Sequence, residues 1–174
     1  EDNEDNDAKR IQVDTPKNDN ELNVALLEAT LDRDYEEVRK LLDAGANVNA
    51  TENDGGETPL IRATIIPWNA KYNYEYETDK TISLVTLLLN FGANVNIQDH
   101  NGWTALMIIM NNSLRGTYNV HLNTDLVNLL LNVPTIELNL QTTKEQMTAA
   151  MFLMQVIFGD HDLRTHLNFV DILR

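Results

Sequence analysis

The sequence predicts an all-α solenoid of about four stacked helix–turn–helix units, joined by β-hairpin fingers. Two recurring blocks and their order lead there. Leu41-Leu42-Asp43-Ala44-Gly45-Ala46-Asn47-Val48-Asn49 returns as Leu88-Leu89-Asn90-Phe91-Gly92-Ala93-Asn94-Val95-Asn96, and in worn form across Leu130–Asn139. After the first two copies comes a turn block, Asp54-Gly55-Gly56-Glu57-Thr58-Pro59-Leu60, then Asp99-His100-Asn101-Gly102-Trp103-Thr104-Ala105-Leu106. Self-similarity of this kind marks an architecture in which no unit buries its apolar faces alone and stacking completes the core.

Each block has a local physical reading. The double leucine is the apolar end of a helix, and Gly45 and Gly92 stand where a helix stop needs φ > 0, which glycine adopts without steric cost. Asp-Gly and Asn-Gly pairs supply the left-handed residues of a tight turn. Thr58 and Thr104 are placed as helix N-caps, with Pro59 at the first helical position. The grammar is helix, glycine stop, extended finger, tight turn, capped helix.

On these residues the chain resembles the ankyrin repeat family. Thr58-Pro59-Leu60-Ile61-Arg62-Ala63 and both Gly-Ala-Asn-Val-Asn segments meet the family pattern. The resemblance covers residues 19–174, behind an acidic N-terminal tail at 1–18. It implies repeats at about 19–50, 51–97, 98–140 and 141–174. The helices are then expected near 22–31 and 35–43, 59–66 and 81–90, 105–112 and 124–132, and 149–157 and 165–173. The expected core is Leu26, Val38, Leu41, Leu42, Leu60, Ala63, Val85, Leu88, Leu89, Leu106, Val127, Leu130, Leu131, Phe169 and Leu173. Repeat one reads as a polar cap, with Asp32, Arg33, Asp34, Glu36, Glu37, Arg39 and Lys40 crowding its second helix.

The departures are informative. Ile61 and Met107 replace the family's histidine. Thr58 to Thr104 spans 46 residues and Thr104 to Thr148 spans 44, against a period of about 33. The excess is assigned to insertions at 67–79 and 113–121, between the two helices of repeats two and three. The fourth turn, Thr142-Thr143-Lys144-Glu145-Gln146-Met147-Thr148, has no glycine, and a distorted turn is expected there.

Composition bounds the function. The formal charge is −14, from 27 acidic and 13 basic residues. Setting aside the acidic first twenty residues still leaves twice as many acids as bases. Such a surface repels phosphate backbones, disfavours nucleic-acid binding, and suits solubility or a basic partner. The absence of cysteine removes disulfides and thiolate chemistry. No apolar run is long enough to span a membrane. The chain opens on Glu1 rather than Met. A removed signal peptide ahead of an acidic, Asn-rich spacer fits that, so cytoplasmic and exported locations both stay open.

No constellation of catalytic residues emerges, and no enzyme, cofactor or metal is expected. His161, Asp162 and His166 form the one His/carboxylate cluster, but a spacing of five puts the histidines on different helix faces. Asp54-Gly55-Gly56 is too short for a phosphate loop. Asn111-Asn112-Ser113 fits a glycosylation triplet, a frequent chance match among 22 asparagines.

The expected function is a non-catalytic protein-interaction module, with a monomer favoured. By the resemblance, the concave contact positions are Asp54, Gly55, Glu57, Ile65, Ile66, His100, Asn101, Trp103, Asn111 and Asn112. Trp103 has two open readings: a partner anchor, or an indole that lies over the neighbouring finger and stiffens the stack. The insertions add Trp68, Tyr72, Tyr74, Tyr76 and Tyr118. In an extended loop, alternation would put the three rings of Tyr72, Tyr74 and Tyr76 on one face, and tyrosine gives contact area at low entropy cost. The alternative is a structural or oligomerising subunit that docks through its apolar C-terminal helix.

Overall fold

The computed structural model describes residues 18–51, 54–65, 74–114 and 120–159, with backbone alone at 74–78, 113–114, 120–123 and 156–159. Seven helices lie in this part: α1 (Asp19–Leu31), α2 (Tyr35–Asp43), α3 (Pro59–Thr64), α4 (Tyr74–Asn90), α5 (Ala105–Leu114), α6 (Val120–Leu131) and α7 (Ala149–Gly159). They form two layers. The odd-numbered helices pack in the order α1, α3, α5, α7, the even-numbered in the order α2, α4, α6, and α1/α2, α3/α4 and α5/α6 pair across. One apolar cluster runs without a break from Leu26 in α1 to Leu153 in α7. Each fully buried leucine or isoleucine in it contributes roughly 1.5–3 kcal/mol of transfer free energy. Of the expected core, Leu89 and Leu131 are only half-buried, and Phe169 and Leu173 lie outside the described residues.

The caps explain where the helices begin. Asn18 accepts from the Glu21 amide at 2.9 Å, and its own side-chain amide donates to the Glu21 carboxylate at 3.1 Å. Asp34 accepts from Glu37 N–H at 3.1 Å and starts α2. Thr58, Thr104 and Thr148 accept from the amides of Ile61, Met107 and Met151 at 3.2, 3.3 and 3.1 Å. Each bond satisfies an amide that the first helical turn leaves without a partner.

Two helix ends share one device. Gly45 (φ 97°) donates to the Leu42 carbonyl, and Ala46 to that of Leu41, both at 3.0 Å. Gly92 (φ 85°) and Ala93 do the same to Leu89 and Leu88. This is the Schellman pattern, closed by a left-handed residue. At α6, Pro134 occupies the glycine's place and has neither the φ nor the N–H to repeat it. The helix there ends earlier, with Asn132 donating to Asn128 and Val133 to Leu130, each at 3.1 Å.

Two expectations change. Arg33 does not join the polar cap: it is 8% exposed and left-handed (φ 55°). It makes the α1–α2 corner, and its guanidinium donates at 2.9 Å to the Ile65 carbonyl at the end of α3. The long spacer of repeat two is also partly helix, since α4 starts at Tyr74 and runs for 17 residues. Tyr74 and Tyr76 therefore do not belong to an extended strand. Positions two apart on a helix lie about 200° apart around its axis, not on one face. The alternation misleads because Glu75, Glu77 and Asp79 stand near the start of α4, where acids favour a helix.

Candidate protein-contact face

The fingers are built from the turn blocks. In the second, Asp99 N–H donates to the Trp103 carbonyl at 3.0 Å, and Gly102 N–H to the Asp99 carbonyl at 2.9 Å. The Asp99 carboxylate accepts from the amides of Asn101 and Trp103, both at 2.8 Å. One aspartate thus closes the hairpin from within, as expected of Asx turns. In the third finger Thr142 takes the aspartate's part. Its N–H donates to the Met147 carbonyl at 3.0 Å, its carbonyl accepts from Gln146 at 3.2 Å, and its hydroxyl accepts from Met147 N–H at 3.1 Å. Gln146 adopts φ 54° in place of glycine. The expected distortion is therefore one extra residue and a strained glutamine, with the bonding scheme kept.

Neighbouring fingers are bonded edge to edge. His100 N–H donates to the Gly55 carbonyl, and its Nδ1 lies 2.9 Å from the Asp54 carbonyl. A carbonyl only accepts, so Nδ1 carries the proton. Asn101's carbonyl accepts from Thr143 N–H at 2.9 Å and Oγ1 at 3.0 Å. Gln98 Nε2 reaches the carbonyls of Gly102 (2.6 Å) and Gln141 (2.9 Å). Gly102 is required twice over. Its φ is 78°, and a Cβ there would stand 2.8 Å from the Gln141 oxygen and from the Thr143 nitrogen.

A second set of bonds, one within repeat one and the rest between repeats, is made by asparagines. Asn23 Oδ1 accepts from Asn47 N–H (2.8 Å), Asn49 Oδ1 from Asn94 N–H (2.8 Å), and Asn96 Oδ1 from Glu137 N–H (2.9 Å). Asn96 also donates through Nδ2 to the Thr135 carbonyl at 2.7 Å. Sequence reading missed these rungs, although the matched pairs Asn47/Asn49 and Asn94/Asn96 were their visible signal.

The predicted contact residues fall into three groups. Asp54, His100 and Asn101 are exposed on adjacent fingers, with Gly55 half-buried beside them. Glu57, Ile65, Trp103, Asn111 and Asn112 are half-buried. Ile66, Trp68, Tyr72 and Tyr118 lie outside the described residues, as do the side chains of Tyr74 and Tyr76.

Within the second group, several side chains already have partners. Glu57 pairs with Arg62 at 3.3 Å, and Arg62 Nη1 also donates to the Leu27 carbonyl at 3.1 Å. That links a finger to α3 and α1. The Trp103 ring centroid lies 5.1 Å from that of buried Phe152 on α7, tilted by 39°. One side of the indole therefore stiffens the stack. Phe152 was not foreseen as its seat, because nothing in its own local pattern points to the preceding finger.

Comparison with known families follows this grammar. Residues 26–69 match the family model for ankyrin repeats (many copies), and residues 55–100 match that for the ankyrin repeat. Residues 26–100 are ankyrin repeats. No curated protein matches the chain. Beyond residue 100, the capped α5 and α7 and the third finger carry the ankyrin arrangement on, and the fold is an all-α ankyrin-repeat solenoid. Ankyrin repeats generally mediate protein–protein interaction and are typically non-catalytic. Among the described residues, no helix is long and apolar enough to cross a membrane.

Proposed function

We propose that this chain holds one protein partner on the face formed by its finger tips and odd-numbered helices, and that it does so as a monomer without catalysis. The observation that carries this reading is the edge-to-edge bonding of the fingers. It leaves the side chains of Asp54, His100 and Asn101 exposed on a backbone already fixed by hydrogen bonds. A preorganised surface binds with little ordering cost, and the chain's net charge of −14 suits a basic partner. Trp103, Glu57, Ile65, Ile66, Asn111 and Asn112 complete the face in this proposal, and Trp68, Tyr72, Tyr74 and Tyr76 flank it.

The test is capture of a partner from the source cell by wild type, by Asp54→Lys/Asn101→Lys, and by Tyr72→Ser/Tyr74→Ser/Tyr76→Ser. Both variants should lose capture while keeping the wild-type melting temperature. Undiminished capture by the finger variant would remove this face from the contact. A lowered melting temperature in the tyrosine variant would assign those rings to the fold.

A further inference from the structure

The chain has no cysteine, so its sulfur chemistry rests on five methionines, Met107, Met110, Met147, Met151 and Met154. The fold sorts them by access. Met107 and Met110 on α5 are 0% and 1% exposed. Met151 and Met154 on α7 are 49% and 48% exposed, with half-buried Met147 just ahead of the helix. The two pairs hold the same places in their repeats. Met107 and Met151 stand third after the capping Thr104 and Thr148, and Met110 and Met154 stand sixth. On α3 the same places belong to Ile61 and Thr64, which are also buried. Only on α7, among these three helices, do they face solvent.

The open thioethers are separate from the residues that seat the helix. Ala149, Phe152 and Leu153 turn inward and are buried. From Ala149 to Gly159 there is no charged residue. Met147, Met151 and Met154, with Ala150, line a groove of about 550 Å³, a size at which small apolar molecules are held. The polarity of that groove therefore follows the state of its sulfurs. A thioether is soft and apolar, whereas a sulfoxide is polar and disrupts apolar contact.

We propose that Met151 and Met154 form a reversible oxidation site that takes hydroperoxides as its substrate class and switches this groove from apolar to polar. The thioether sulfur gives a lone pair to a peroxide oxygen, and the O–O bond breaks. Sulfur is oxidised to the sulfoxide, and hydrogen peroxide is reduced to water. Methionine sulfoxide reductases reverse the change, one enzyme for each sulfoxide epimer, with a dithiol as reductant and the oxygen leaving as water. Met107 and Met110 stay reduced while the stack stays folded, so the change is confined to one face.

The test treats the full-length chain with hydrogen peroxide and follows each methionine by peptide mass mapping. Met151 and Met154 should oxidise roughly tenfold or more faster than Met107 and Met110 in the folded protein. In urea the four rates should converge. Affinity for the neutral dye Nile red should fall roughly fivefold or more on oxidation, because a sulfoxide must shed water to line an apolar seat. It should return after treatment with both reductases. The variant Met151→Leu/Met154→Leu should bind the dye and ignore peroxide. Equal rates for the two pairs in the folded chain overturn the proposal. So does oxidation of Met107 that follows at once on that of Met151 and Met154, since the pair would then hold the stack together. Dye binding that is absent, indifferent to peroxide, or equally lost in the leucine variant overturns the switch. Sulfoxides that both reductases leave in place overturn its reversibility.

Discussion

The second and third fingers make the same three kinds of bond from different residues. In one, Asp99 and Gly102 close a five-residue turn; in the other, Thr142 and Gln146 close a six-residue turn. The first residue donates to the last, accepts from the left-handed one, and lends a side-chain oxygen to the last amide. What persists along the stack is the bonding scheme, and the residues are one means of meeting it. A buried backbone donor must be satisfied, so a worn copy keeps the pattern at some cost in strain. The helix ends make the opposite point. With Pro134 in the glycine's place the Schellman bonds cannot form, and α6 stops early.

Substitutions can break or sharpen this contrast. The largest effect is expected at Gly102→Ala, which meets backbone atoms of the third finger as well as an unfavourable φ. It should lower stability by about 2–4 kcal/mol in urea unfolding. Gly45→Ala, where a Cβ meets nothing within 4 Å, carries only the φ term and should lose about 1–2 kcal/mol. Equal losses at the two sites would show that the finger contact contributes nothing. Thr142→Val keeps shape but removes the hydroxyl that accepts from Met147, at a site only 1% exposed. A loss of about 1–2 kcal/mol is expected, and an unchanged midpoint would deny threonine the aspartate's part. The smallest effect is a gain: Gln146→Gly relieves the left-handed strain and should stabilise by about 0.5–1 kcal/mol. A destabilised Gln146→Gly would mean that the glutamine side chain holds the turn.

Much of the fold was legible because short-range rules govern it. Gly45, Gly92, Thr58 and Thr104 each act within a few residues of their own position, and their roles follow from local geometry. The boundary of α4 was harder. Tyr72–Tyr76 alternates as a strand would, but near the start of α4 Glu75, Glu77 and Asp79 suit a helix. The Trp103 seat and the burial of Arg33 depend on partners 49 and 32 residues away, Phe152 and Ile65. No local pattern encodes those distances. Of the candidate face, the exposed finger residues were readable from turn chemistry. The open side of α7 was not, because Met151 and Met154 occupy positions that the rest of the stack buries.

The asparagine rungs have a consequence for the conditions under which the repeats cohere. Asn49 and Asn96 join successive repeats, and Asn23 ties α1 to the Asn47 segment of its own repeat, through amide groups, which neither gain nor lose a proton in ordinary solution. A carboxylate would accept the same bonds, but it could not make the second, donating contact of Asn96, and it would add to a net charge of −14. Bonds between neutral partners carry no charge–charge term for dissolved ions to screen. These links between units should therefore outlast shifts of acidity and ionic strength that alter the exposed pairs Arg39–Asp43 and Lys40–Glu37.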